Sequence, residues 1–211
     1  VLITGFAPFG EEIINPSYEA IKNLDKTDFK CKISIVEIPT VFCKSLVKLN
    51  DMIEKSMPDI TICFGQAGGR SDVSLERVAI NIDDARIKDN EKNKPIDTKI
   101  MSDGKNAYFS KLPIKAITKE LRRNKIPSSV SNTAGTFVCN HLMYGLLYLI
   151  DKKYPEMKGG FVHVPYIPEQ VVDKKSEPSM SLSLIRKAIS VIIKTSIKYD
   201  EDIEISEGKL N

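Results

Sequence analysis

A cysteine nucleophile needs a base within reach, and this chain has few ways to build that pair. Cys139 stands in Thr136-Phe137-Val138-Cys139-Asn140-His141, at the mouth of an apolar run that reads as a helix. The chain has only two histidines, His141 and His163, the second in Gly160-Phe161-Val162-His163-Val164-Pro165. A thiolate at a helix N-terminus with an imidazole on a neighbouring strand is the arrangement that cysteine catalysis requires. With Thr136 as N-cap, Cys139 falls in the first helical turn, where free N–H groups and the helix dipole favour an anion. Its pKa is expected to fall, and the same N–H groups are placed to hold an oxyanion. A buried cysteine on a core helix is the competing reading; the small, open Ala134-Gly135 before the helix weighs against it.

Two histidines compete to be the base. His141 lies two residues after Cys139, and i,i+2 side chains diverge on a helix, so it reads as a packing or surface residue. His163 lies near a strand end, at the edge where Cys139 should open. The orienting acid is harder to choose among many carboxylates. In Ser74-Leu75-Glu76-Arg77-Val78-Ala79-Ile80-Asn81, Glu76 leads an alternating stretch just after Gly68-Gly69-Arg70. It is placed to fix an imidazole tautomer; a solvated acid paired with Arg77 is the alternative. Gly65-Gln66-Ala67-Gly68-Gly69-Arg70 lacks the Lys-Ser/Thr pair of a phosphate loop and suits close backbone approach to a ligand, with Gln66 as a neutral polar group. No CxxC, HExxH or acidic calcium loop is present, so no metal or other cofactor is expected.

These residues need a scaffold that brings them together. A chain of 211 residues suits one domain, taken here as 1–211. Its net charge of +3 is small, and lysines alternate with acids along the chain, a solvated surface rather than a nucleic-acid footprint. No apolar run approaches the roughly 18 residues of a membrane span, and no signal peptide is visible. Four cysteines, Cys31, Cys43, Cys63 and Cys139, show no framework spacing, and the first three read as small buried hydrophobes. A reduced, cytoplasmic protein is expected. Strands are read at Val1–Gly5, Lys32–Ile38, Asp59–Gly65, Ser128–Asn132 and Phe161–Val164. Helices are read at Pro16–Leu24, after Thr40 as cap, at Pro113–Asn124, Phe137–Ile150 and Leu182–Lys198. A long irregular segment, broken by one alternating stretch, joins Gln66 to about Leu112. The alternation of strands and helices predicts an α/β fold, a three-layer α/β/α sandwich around a twisted, mostly parallel sheet. In such sheets the site lies beyond the carboxyl ends of the strands, here Gly5-Phe6, Gly65-Gln66, Asn132-Thr133 and Val164-Pro165.

Taken together, the segments resemble type I pyroglutamyl peptidase (pyrrolidone-carboxyl peptidase). The resemblance runs through Thr4-Gly5-Phe6-Ala7-Pro8-Phe9-Gly10, Asn15-Pro16, Pro39-Thr40-Val41, the Gly65–Arg70 loop and Glu76–Asn81. It continues in Asp84-Ala85-Arg86-Ile87, Ser131–Asn140 and His163–Gln170. One departure is Glu11 after Gly10, where many relatives carry a second glycine. The resemblance implies a cysteine exopeptidase that removes N-terminal pyroglutamate from peptides, with a triad on Cys139, His163 and Glu76. It also implies a substrate pocket on Phe6, Phe9, Asn15, Thr40, Gln66, Ile87, Phe137 and Val138, with Arg86 beside the reaction centre. A homotetramer is implied too, for which Val171-Val172 and Met180 are a candidate contact. Two rivals remain open at this level. One is a nucleoside phosphorylase-like transferase with phosphate on the Gly68-Gly69-Arg70 loop; the other is a non-catalytic binder of pyroglutamyl peptides.

Overall fold

Runs buried on both faces form the centre of the molecule, and amphipathic helices cover them. The computed structural model describes residues 1–208, so the domain end expected at Asn211 lies outside the described residues. In chain order the elements are β1 (Leu2–Phe6), α1 (Pro16–Ile21), β2 (Ser34–Ile38), α2 (Lys44–Ser56), β3 (Ile60–Gln66), β4 (Val73–Glu76), β5 (Val78–Ile80), β6 (Ala107–Phe109), α3 (Ile114–Arg123), β7 (Ser128–Ser131), α4 (Val138–Lys152), β8 (Lys158–Val164) and α5 (Leu182–Lys198). Six strands form the main sheet in the order β2-β1-β3-β8-β4-β7. The first four are mutually parallel; β4 runs antiparallel to β8, and β7 runs parallel to β4.

Strand alternation divides the core into two layers. Ile3, Ile62, Phe64, Leu75, Val130, Val162 and Val164 point to one face, against α1, α3 and α5. Leu2, Phe6, Cys63 and Phe161 point to the other, against α2 and α4. The same alternation that sends Leu75, Val162 and Val164 to the first face sends Glu76 and His163 to the second, beneath α4. Helix α5 shows why sequence sets these elements well: Ser181 caps it by accepting from Leu184 N, and Ile185, Ala188, Ile189, Ile192 and Ile193 form its buried stripe.

Three expectations need correction. Helix α2 begins at Lys44 rather than just after Thr40, because Cys43 takes a positive φ of 59° and turns the chain first. The Thr40 hydroxyl instead donates to the Ala7 carbonyl at 2.8 Å. The segment from Gln66 to Leu112 is organised by buried polar side chains: β5 pairs with β6, and the Asn81 side chain accepts from Ile100 N and Met101 N while donating to Met101 O. Finally, β7 runs opposite to β1, β3 and β8, so Asn132-Thr133 does not share their edge.

Candidate active site

Helix α4 is pinned at the turn that carries Cys139. The Asn140 side chain accepts from Ile80 N at 3.0 Å and donates to the carbonyls of Ile80 and Ile82, joining the helix start to β5. The chain enters through Gly135, whose φ of +77° suits glycine. Thr136 is not the cap: its hydroxyl donates to Asp84 O at 2.7 Å, and Phe137 takes the cap position without a side-chain hydrogen bond. The first-turn N–H groups of Val138, Cys139 and Asn140 are therefore left without a capping side chain, at the anion-favouring end of the helix. The Cys139 thiol sits over Gly65 of β3, where an added Cβ would come within 3.1 Å of Sγ and 2.7 Å of the Phe161 ring. Gly65 is the register partner of His163 on β8, which sets the imidazole beside the thiol's strand position.

His163 is buried, and its Nδ1 lies 2.7 Å from Glu76 Oε1. Arg70 Nη1 donates to the same oxygen at 2.5 Å, and its Nη2 donates to the Thr133 carbonyl. Burial works to raise the Glu76 pKa, but the hydrogen bond and charge of His163 and the charge of Arg70 outweigh it and hold the carboxyl below its usual range. An ionised Glu76 accepts from Nδ1–H and leaves Nε2 as the basic nitrogen. Arg77, the alternative partner, instead donates to the Glu207 carbonyl. With Arg70 committed to Glu76 and Thr133, the Gly-rich loop's cation is not free for a phosphate.

The thiol itself departs from the helix-terminus expectation. Burial pushes Cys139 up to about 12, with the Glu76 carboxylate adding to the rise and Arg70 opposing it. Desolvation of the half-buried sulfur thus works against the helix end, opposite to the direction that the helix terminus alone favours.

A cleft of about 620 Å³ opens onto this centre. Phe6, Phe9, Asn15, Thr40, Gln66, Arg70, Arg86, Ile87, Phe137, Cys139 and His163 all line it. The wall is held by polar staples. Asn15 caps α1 by accepting from Ser17 N and donates to Ala7 O, fixing the loop that carries Phe9. The Asp89 carboxylate accepts from Phe42 N, Glu91 N and Asn93 N, and Asn90 donates to Pro8 O, tying the Ile87 loop across the β1 end. Phe9 and Phe137 stand 6.3 Å apart, and Phe42 meets Phe137 edge-on at 5.3 Å. Val138 departs from the expected pocket wall: its side chain is 0% exposed in the core between the sheet and α4, so only its backbone is placed for chemistry. A second cleft, of about 670 Å³, is lined by Lys32, Asp59 and Lys158 and contains neither histidine.

Comparison with known proteins decides the family. The family model described as pyroglutamyl peptidase matches residues 1–199. The chain belongs to the pyroglutamyl peptidase family. It is 59% identical to the pyrrolidone-carboxylate peptidase of Clostridium botulinum over 210 residues, covering 100% of this chain and 99% of that one. It is 58% identical to the Thermosipho africanus protein of the same name, covering 96% and 98%. The crystal structure of Bacillus amyloliquefaciens pyroglutamyl peptidase I superposes with a TM-score of 0.93 at 49% identity, covering 96% of this chain and 98% of that one.

The other histidine of this pyroglutamyl peptidase family member is engaged on both nitrogens. His141 Nδ1 lies 2.8 Å from Asp83 Oδ2, and Cys43 N donates to Nε2 at 3.1 Å. It is wholly packed rather than on the surface, against Phe42, and neither nitrogen is free to act as base. Of the three cysteines expected to be buried, only Cys63 is; Cys31 and Cys43 are exposed, because both fall in turns that precede an element. Met180 is buried in the core beside α5, whereas Val171 is half-buried and Val172 is 79% exposed, which leaves the two valines as the accessible part of the expected contact. Arg70, Asn140, Asp89 and Gln170 carry much of the site's geometry, and residue type alone did not single them out.

Proposed function

We propose that this protein is a cysteine exopeptidase that hydrolyses the bond after an N-terminal pyroglutamyl residue, with Cys139 as nucleophile, His163 as base and Glu76 as orienting acid. The observation that carries the assignment of roles is the Glu76 Oε1–His163 Nδ1 contact of 2.7 Å, which engages Nδ1 and leaves Nε2 as the basic nitrogen in the cleft that Cys139 also lines. Nε2 takes the Sγ proton as sulfur attacks the carbonyl that joins pyroglutamate to the next residue. A thiol with so high a pKa favours this coupled transfer over a preformed ion pair. The uncapped N–H groups at the start of α4 receive the oxyanion. The tetrahedral intermediate collapses, the C–N bond breaks, and His163 returns its proton to the leaving amine. Water, deprotonated by His163, then hydrolyses the thioester and releases pyroglutamate and the free thiol.

The cleft suits a flat, uncharged lactam. Phe9, Phe137 and Ile87 supply apolar walls, and Gln66 supplies a polar group. Proline lacks the lactam carbonyl and should be a poor substrate; an open-chain glutamine brings an ammonium whose desolvation is costly. Among the described residues no helix is long and apolar enough to cross a membrane. We infer a cytoplasmic protein from its four free thiols. We also infer a homo-oligomer with Val172 at a contact, to be checked by sedimentation of Val172→Asp. The deciding experiment for activity is release of the fluorophore from a pyroglutamyl coumarin amide. Turnover that iodoacetamide abolishes is expected, and no turnover, or turnover indifferent to the blocker, overturns the reading.

A further inference from the structure

We propose that Gln170 fixes the hydrogen-bonding sense of Gln66, so that Gln66 presents an N–H donor rather than a carbonyl to the ring carbonyl of the substrate. A glutamine amide has a donor end and an acceptor end of nearly equal size, and which end faces a ligand is set by its other partners. For Gln170 both ends are determined by groups with only one possible role. The Ile167 backbone N–H, a donor, bonds one end at 3.2 Å, which makes that atom Oε1. The Glu12 carboxylate, an acceptor, bonds the other at 2.8 Å, which makes it Nε2. Nε2 also lies 3.4 Å from the Ile14 carbonyl, a second group that can only accept, and the shorter contact of 2.9 Å runs to the Gln66 side chain, so the atom of Gln66 that faces this donor is its Oε1.

The polarity of Gln66 follows. Its Oε1 is occupied, and its Nε2 has no partner among the described residues. The residue is 8% exposed and lines the cleft that holds Cys139 and His163. A donor at this point complements the lactam carbonyl and is mismatched with the lactam N–H, so it selects the ring orientation that brings the carbonyl to Gln66; a carbonyl at the same point would face that carbonyl. Glu12 is itself anchored by Lys174, and Gln170 sits in the turn just after β8, the strand of His163. Gln170 is thus a positioning residue: it does not line the cleft, and it acts through Gln66. The inference rests on the reading that the pyroglutamyl ring occupies this cleft.

The test compares Gln170→Glu with Gln170→Met. Glutamate replaces the donor by an acceptor and forces Gln66 to turn its Nε2 inward and its carbonyl to the cleft; methionine merely releases Gln66. A site built to bond one polar group rejects its mismatch strongly, so Gln170→Glu should raise the inhibition constant of 2-pyrrolidone and the KM of a pyroglutamyl coumarin amide on the order of tenfold or more. Gln170→Met should show a smaller loss. In both variants kcat and the iodoacetamide alkylation rate of Cys139 should stay near wild type, which a packing role would not predict. Should the added charge beside Glu12 impair folding, Glu12→Gln combined with Gln170→Glu restores the charge balance and should show the same loss of lactam affinity. An unchanged 2-pyrrolidone constant in a folded glutamate variant overturns the relay. Ile87→Ala separates the two failures: if it weakens lactam binding while Gln170→Glu does not, only the relay falls, and if neither does, the cleft is not the lactam site and both fall.

Discussion

Glu76 Oε1 and His163 Nδ1 meet at 2.7 Å across a pair of strands that run in opposite directions. In the β4–β8 register Ser74 stands opposite His163, so Glu76, two residues on and on the same face, is its diagonal neighbour. Diagonal partners are within reach of a long side chain. The reversal of β4 also brings Arg70, just upstream, back to the same carboxylate oxygen. One buried oxygen is thereby shared by the imidazole and a guanidinium, which keeps the acid ionised and the tautomer fixed.

Cys139→Ser should abolish turnover, with a loss of at least about a thousandfold, because a hydroxyl at this position is far harder to deprotonate than a thiol. Circular dichroism should be unchanged. Cys31→Ser, Cys43→Ser and Cys63→Ala should each keep most activity. With the thiol near 12, alkylation of Cys139 in a Cys31→Ser/Cys43→Ser background should keep climbing with pH between 7 and 9. A plateau below pH 7 would indicate a preformed thiolate instead.

The two histidines should separate by observable. His163→Ala removes the proposed proton carrier and should cost on the order of a thousandfold or more in kcat. His141→Ala leaves the buried Asp83 carboxylate and the Cys43 N–H without their partner. It should cost about 1–3 kcal/mol of stability, with kcat in the remaining folded protein within roughly tenfold of wild type. Urea melts read with active-site titration check both; equal kcat losses would contradict the assignment.

Elements were legible where a run carried its own signals. Helix α5 is bounded by Ser181 and its apolar stripe, and its expected span coincides with that observed, Leu182–Lys198. That His163 rather than His141 shares a cleft with Cys139 was legible, because only two histidines exist and helical spacing separates His141 from Cys139. Strand direction in β4 and β7 was not, since four-residue strands carry no mark of orientation. The Thr136 cap failed because a competing carbonyl, Asp84 O, lies in a loop distant in sequence. Long-range amide staples share that property: Asn140 bonds residues 60 positions away, and Gln170 bonds one 104 away. The sign of the Cys139 shift was missed because local sequence shows the helix end but not the depth of burial.

Asp89 predicts acid sensitivity of the cleft wall. Burial works to raise its pKa, but hydrogen bonds from Asn93, Phe42 and Glu91 outweigh it and hold the carboxyl below its usual range in the folded protein. A depressed folded pKa gives stability that is fully present above the unfolded value and is lost as pH falls through the folded one. The loss therefore belongs below about pH 4. Asp89→Asn should lower stability at neutral pH by about 1–3 kcal/mol, because its amide nitrogen faces N–H donors. It should also flatten the decline in urea stability between pH 4 and 2.5. A variant as acid-sensitive as wild type would remove Asp89 from this role.

Glu76 and Arg70 make the sharpest test of the site, because they act through charge on the same imidazole. Glu76→Gln keeps the shape and one acceptor but removes the carboxylate that, in the proposed mechanism, stabilises the imidazolium once His163 has taken the thiol proton. The loss should fall on kcat and on Cys139 alkylation, while 2-pyrrolidone, whose cleft is untouched, binds as before. Arg70→Gln leaves the carboxylate in place but removes the cation that helps hold it ionised. The Glu76 pKa should then rise, so the acid limb of kcat/KM should move to higher pH, with the rate at the plateau reduced less than in Glu76→Gln. If Arg70 served only to tie down the Thr133 loop, Arg70→Gln would lower the melting temperature and leave the acid limb where it is in wild type. Parallel pH profiles of wild type and both variants, with melting curves at each pH, distinguish these outcomes.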